Sequence, residues 1–90
     1  MIPANVRADV ERERDEQDKR WGVQDHNTFV WLAVLGEEYG EACRAALSMP
    51  SRRDTLNLRR ELVQCAAVAI AAIESIDRVA CSPEEDHGNE

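Results

Sequence analysis

The sequence predicts an all-α protein, and three observations lead there. Charged residues make up 32% of the chain while glycine and proline number only four and three, a balance that favours helices over strands and turns. Apolar residues recur at helical spacing through most of the length. Two short polar breaks, around Gly22 and around Pro50, divide the chain into three stretches. The expected architecture is an antiparallel bundle of about three helices per chain, completed by oligomerisation, because 90 residues bury only a modest fraction of their surface. Residues 1–81 are read as one helical domain and residues 82–90 as an acidic tail expected to be mobile.

Pro3 and Asn5 are suited to a helix start, and Val6 to about Arg20 reads as a first, mostly charged helix. Its weak apolar stripe runs through Val6 and Val10 to Gln17 and Trp21. The mixed charges from Glu11 to Glu16 read as a solvated face, with one or two of its basic residues, or Lys19 and Arg20, as candidates to face a phosphate. Gly22 closes the helix, and a polar connection from Trp21 to Thr28 follows. Asn27 or Thr28 is expected to cap a second helix from about Phe29 to Leu47. The segment Met49-Pro50-Ser51-Arg52-Arg53 breaks it, and its two arginines are the residue type a polyphosphate needs. Asp54 or Thr55 starts a third helix reaching about Ala80. From Glu61 to Glu74 that helix has no charge in its interior, and its apolar positions go nearly all the way round. Such a helix must be covered on most sides, and its alanines permit close helix approach. Part of the cover is therefore expected from another subunit.

The candidate site lies in Leu35-Gly36-Glu37-Glu38-Tyr39-Gly40-Glu41-Ala42. On a wheel of about 100° per residue, Trp31, Leu32, Leu35, Tyr39, Ala42, Cys43 and Ala46 form an apolar arc. Glu38 falls inside that arc, Glu41 on its border and Glu37 just beyond; Tyr39 is expected in the core. A buried unpaired carboxylate costs several kcal/mol or takes up a proton, so Glu38 needs a partner. On the third helix Glu61 is similarly misplaced on the apolar side, with Gln64 one turn on. Antiparallel packing brings Glu38 and Glu41 opposite Glu61 and Gln64. That oxygen-rich set suits Mg²⁺, with Mn²⁺ as the alternative. The competing reading is a solvated acidic face, with Gln64 simply hydrogen-bonded to Glu61 or to a neighbouring subunit.

The net charge of −7 argues against binding a nucleic acid polymer. No apolar run is long enough to span a bilayer, no signal-peptide pattern opens the chain, and Cys43, Cys65 and Cys81 lack metal-ligand spacing. These features read as a chain of the reducing cytoplasm.

Glu37-Glu38-x-x-Glu41, followed after nineteen residues by Glu61-x-x-Gln64, resembles the Glu-Glu-x-x-Glu … Glu-x-x-Asp signature of the MazG-like all-α nucleoside triphosphate pyrophosphohydrolases. The dCTP pyrophosphatases and dimeric dUTPases belong to the same superfamily. The similarity spans roughly Gln17 to Asp77 and includes Lys19-Arg20-Trp21-Gly22 and Asp25-His26. It implies a homodimer or homotetramer that hydrolyses a nucleoside triphosphate to the monophosphate and pyrophosphate. Glu38, Glu41 and Glu61 would bind Mg²⁺, and Glu37 would be a further ligand or would orient the attacking water. Trp21 would stack on the base and His26 would hydrogen-bond its edge; Lys19, Arg52 and Arg53 are the phosphate candidates. The chain departs from the signature at Gln64, where Asp is usual. An amide oxygen can coordinate the cation but brings no charge, which puts catalysis in doubt. A nucleotide-binding module without turnover and a non-enzymatic helical oligomer are the two alternatives.

Overall fold

The computed structural model describes residues 1–48 and 52–80, and the described residues form three α-helices and no strand. Helix α1 spans Ala4–Trp21, α2 spans Thr28–Ser48 and α3 spans Arg52–Ala80. Each expected helix is present, with ends shifted by a residue or two, as is usual where the last turns fray. The tail and the break at residues 49–51 lie outside the described residues.

Local chemistry accounts for the ends. Pro3 sits just before α1 and its carbonyl accepts the amide of Arg7 at 3.0 Å. At the other end Gly22 has φ 72°, which a side chain would resist, and its amide donates to the Asp18 carbonyl at 2.8 Å. Asn27, rather than Thr28, caps α2: its Oδ1 accepts the amide of Val30 at 2.9 Å, satisfying one of the donors a helix start leaves open.

Cross-helix pairs fix the directions. Asp25 meets Ser75 and Arg78, while Gln64 meets Glu38, so numbers fall along α2 as they rise along α3 and the two run antiparallel. Asp9 meets Arg59 at 2.8 Å and Arg14 meets Glu74 at 2.6 Å, so α1 runs in the same direction as α3. Helix α3 is the spine, packed on α2 along much of its length and on α1 more briefly, whereas α1 and α2 do not pack directly on each other. The core is accordingly small: Trp31, Ala42, Ala67 and Val68, with the polar side chains of Gln17 and Ser75 also buried.

Two expectations fail at this level. Tyr39 is 65% exposed rather than packed in the core, and Leu32 on the same arc is also exposed, because α3 covers only the Trp31–Ala42 side of α2. The charged run of α1 is not wholly solvated either. Glu13 and Arg14 are half-buried and Gln17 is buried, since this side of α1 turns toward α3. Leu62, Ile73 and Ile76 leave the outer side of α3 exposed and apolar.

Candidate functional site

Glu38 and Glu41 stand on one side of α2 because they are three residues apart, and Glu61 and Gln64 share the facing side of α3 for the same reason. The structure brings one carboxylate oxygen from each of Glu38, Glu41 and Glu61 within 4.8 Å of one another. With the Gln64 amide in the orientation its surroundings require, its Nε2 donates to Glu38 Oε1 at 3.2 Å and to Glu61 Oε1 at 3.1 Å. Gln64 therefore braces two of the acids as a donor, and would have to turn its amide round to offer an oxygen.

The acids repel one another. Burial pushes the Glu38 carboxyl above the ordinary value of 4.5, and the charges of Glu41, Glu61, Glu13 and Glu37 push it further. Glu61 is also raised, by burial first and then by its hydrogen bond with Glu41 and that residue's charge, with Arg60 and Arg44 acting in opposition. Cys65, close by, has its thiol raised by burial and then by the same carboxylates. A hard divalent cation fits this donor set. Ligand oxygens sharing one Mg²⁺ lie closer together than those of this cluster, so the three carboxylates, whose oxygens are within 4.8 Å of one another, would have to draw in to hold it.

Beside the acids is a cavity of about 450 Å³, bounded by α1, the connection after it, α2 and α3. It occupies the gap that α1 and α2 leave by not touching. Its floor is the α3 row Val68, Ala71, Glu74 and Arg78, which continues the face bearing Glu61 and Gln64 at spacings of three and four. Glu74 is ten residues beyond Gln64, about 15 Å along the axis. Glu38 and Glu37 belong to the cavity wall, as do Trp21, His26 and Trp31. The His26 ring stands edge-on to the Trp31 indole with centroids 4.8 Å apart, and the Arg20 guanidinium lies 4.7 Å from the Trp21 ring.

The other residues expected at the site are distributed unevenly. Glu37 lines the cavity but stands outside the three-carboxylate cluster. Lys19 is exposed beside Glu16, at 3.9 Å, and does not line the cavity. Arg52 and Arg53 lie outside the residues whose side chains are described.

Sequence reading misses several residues. Glu13 sits within electrostatic reach of Glu38 and accepts a hydrogen bond from Gln17 Nε2 at 3.1 Å. The signal is present: Glu13 falls on the stripe Val6, Val10, Gln17, Trp21, misplaced there as Glu38 is on α2. Arg14 lines the cavity bonded to Asp18 at 2.9 Å and to Glu74 at 2.6 Å. Asp25 accepts from the buried Ser75 hydroxyl at 3.1 Å and from Arg78 Nη2 at 2.7 Å, and Arg78 also reaches the Gln24 carbonyl. Those bonds hold its carboxyl below the ordinary 3.8, Arg78 first and Ser75 second. Nothing in a helix wheel announces these contacts between elements.

Among the described residues no helix is long and apolar enough to cross a membrane. In comparisons with protein-family models, with curated proteins and with solved structures, none matches this chain.

Proposed function

We propose that this chain is a Mg²⁺-dependent nucleotide pyrophosphohydrolase, converting a nucleoside triphosphate or related nucleotide and water to the monophosphate and pyrophosphate. One observation carries the reading. Three carboxylate oxygens from facing helices converge within 4.8 Å, and one of the three acids, Glu38, also walls a cavity that holds two tryptophans and a histidine. Acids that repel one another at the edge of an aromatic-lined space suit a ligand that is anionic at one end, arrives with a cation and is a flat heterocycle at the other.

Glu38, Glu41 and Glu61 would hold the ion, with Mn²⁺ as a substitute for Mg²⁺. The bound ion neutralises phosphate charge and lowers the pKa of a bound water. Gln64 restrains the Glu38 and Glu61 carboxylates by donating to both. Glu37, on the wall but outside the cluster, accepts a proton from the attacking water or orients it. Trp21 and His26 receive the base, and Arg52 and Arg53 remain the phosphate candidates. The active form is a homodimer or homotetramer, a reading supported by the exposed apolar sides of α2 and α3.

The Gln64 amide supports a second reading, in which the same site binds a nucleotide without turnover. A donor between Glu38 and Glu61 adds no negative charge where the signature has Asp, so cation affinity falls. Pyrophosphate release measured across a nucleotide panel with Mg²⁺ and Mn²⁺ separates the two. Release from at least one nucleotide, abolished by Glu38→Gln or Glu41→Gln, upholds the enzyme. Calorimetric binding with no release selects the module, and Gln64→Asp is then expected to start turnover. Neither binding nor release overturns both.

A further inference from the structure

Trp31 forms part of the cavity wall and is 5% exposed. Its Nε1–H is buried and has no acceptor, alone among the buried side-chain polar atoms of the described residues. Such a group is destabilising, and folded chains tolerate few of them without a reason such as a ligand or an ordered water. The two arginines on the same wall and the buried Gln17 amide do have partners. Arg14 is held by Asp18 and Glu74, Arg78 by Asp25, and the Gln17 amide by Glu13. The arginines at this end of the cavity are thus matched by carboxylates, so the end is close to electroneutral and suits an uncharged heterocycle better than a second anion.

We propose that Trp31 selects the base in this cavity, its indole N–H donating to an acceptor oxygen or ring nitrogen of the bound nucleotide's heterocycle. The proposal rests on the nucleotide reading of the cavity and assigns the base-reading contact within it. An indole N–H donates and does not accept, so it admits a base edge with a lone pair at that point and rejects one presenting an amino group there. A site built around such a bond discriminates strongly, because the wrong partner leaves the donor buried and unpaired. Nε1 is covered in the free chain, and the half-buried His26 ring packs against the indole at 4.8 Å. A base reaches the donor once a side chain covering it moves, and the His26 ring is the neighbour packed edge-on to this indole. His26 belongs to the connection between helices rather than to a helix, which gives it the room to do so.

The chain has two tryptophans, so its ¹⁵N spectrum holds two indole resonances, and Trp31→Phe identifies the one that matters. The full chain is titrated with Mg²⁺ and the α,β-imido analogues of dATP, dGTP, dCTP and dUTP, with binding read independently by calorimetry. For an analogue that binds, the Trp31 resonance is expected to move downfield and its exchange with water to slow. Trp31→Phe is expected to weaken that analogue roughly tenfold, the scale of one buried hydrogen bond. Binding with an unmoved Trp31 resonance overturns the proposal and leaves the nucleotide reading standing. Equal protection of the N–H with and without the analogue, the mark of a resident water, overturns it in the same way. If none of the four analogues binds, the base-reading role of Trp31 falls, and the nucleotide reading falls with it when the wider panel is silent too. Should Trp31→Phe fail to fold, the wild-type resonance, assigned by its persistence in Trp21→Phe, decides alone.

Discussion

At the scale of single residues, Glu38 gives the sharpest test because its stability effect and its functional effect have opposite signs. Its carboxyl and that of Glu61 are raised above 4.5 in the folded chain, so the folded state retains protons that the unfolded chain has already released. Stability must therefore fall as pH rises above 4.5 through the folded values. Glu38→Gln removes that loss, and in the absence of divalent cations its Tm is expected to exceed wild type at pH 7 and to match it near pH 4. Both acids are partly solvated, so the gain is below about 1 kcal/mol. Under the proposed function the order is expected to reverse with Mg²⁺, because a cation bound by the folded state alone would raise wild-type stability and the variant would lose the response. A Mg²⁺-dependent Tm that survives Glu38→Gln unchanged would remove the cation from this cluster. Asp25 behaves in the opposite sense: its carboxyl is held below 3.8, so the stability it brings is present above that pH and is lost as pH falls through the folded value. Asp25→Asn is expected to lower stability throughout the neutral and alkaline range while changing little at strongly acid pH, which flattens the acid side of the stability profile.

At the scale of elements, the connection between α1 and α2 is tied down far from where sequence reading looks. Ser75 is buried with its hydroxyl on Asp25, and Arg78 grips the same carboxylate and the Gln24 carbonyl. Ser75→Ala leaves the packing nearly intact and deletes one hydrogen bond, so it is expected to cost about 1 kcal/mol. Its specific mark is faster amide exchange over residues 22–27, with α2 and α3 unaffected; uniform loosening of the whole chain would mean that the bond does not hold the connection. The contrast shows what the sequence makes legible. The three helices are readable because charge, spacing and the breaks at Gly22 and Pro50 are local signals. The cluster of Glu38, Glu41 and Glu61 is readable because two acids at helical spacing lie on apolar flanks, and only one antiparallel register lets them meet. The Arg14–Glu74 bond, the Asp25 tether and the cavity itself depend on how α1 leans across α3, which no periodicity encodes. Tyr39 shows the same limit from the other side: the wheel puts it on the apolar arc of α2, but that arc is wider than the strip α3 covers.

For the molecule as a whole, the small core sets the expectation. Among the described residues four buried apolar side chains, two of them alanines, support a long spine helix whose outer side shows Leu62, Ile73 and Ile76, while α2 shows Phe29, Leu32 and Tyr39. Apolar surface of this extent on a chain of 90 residues is what association would remove from water. Folding and assembly should then be coupled, so Tm rises with protein concentration, as mass action requires when the folded form is the oligomer. Sedimentation equilibrium is expected to return a dimer or tetramer for the wild-type chain. Charges introduced on the outer side of α3, as in Ile73→Glu, should shift the population toward monomer and lower Tm by several degrees, because each desolvated carboxylate would have to be buried unpaired in the interface. The carboxylate cluster lies between α2 and α3 of a single chain, so a dissociated variant that still folds should keep a Mg²⁺ response, weakened in proportion to its lost stability. A wild-type chain that stays monomeric at high concentration, with a Tm independent of concentration, would show that this thin core suffices by itself and that its apolar outer faces serve no self-association.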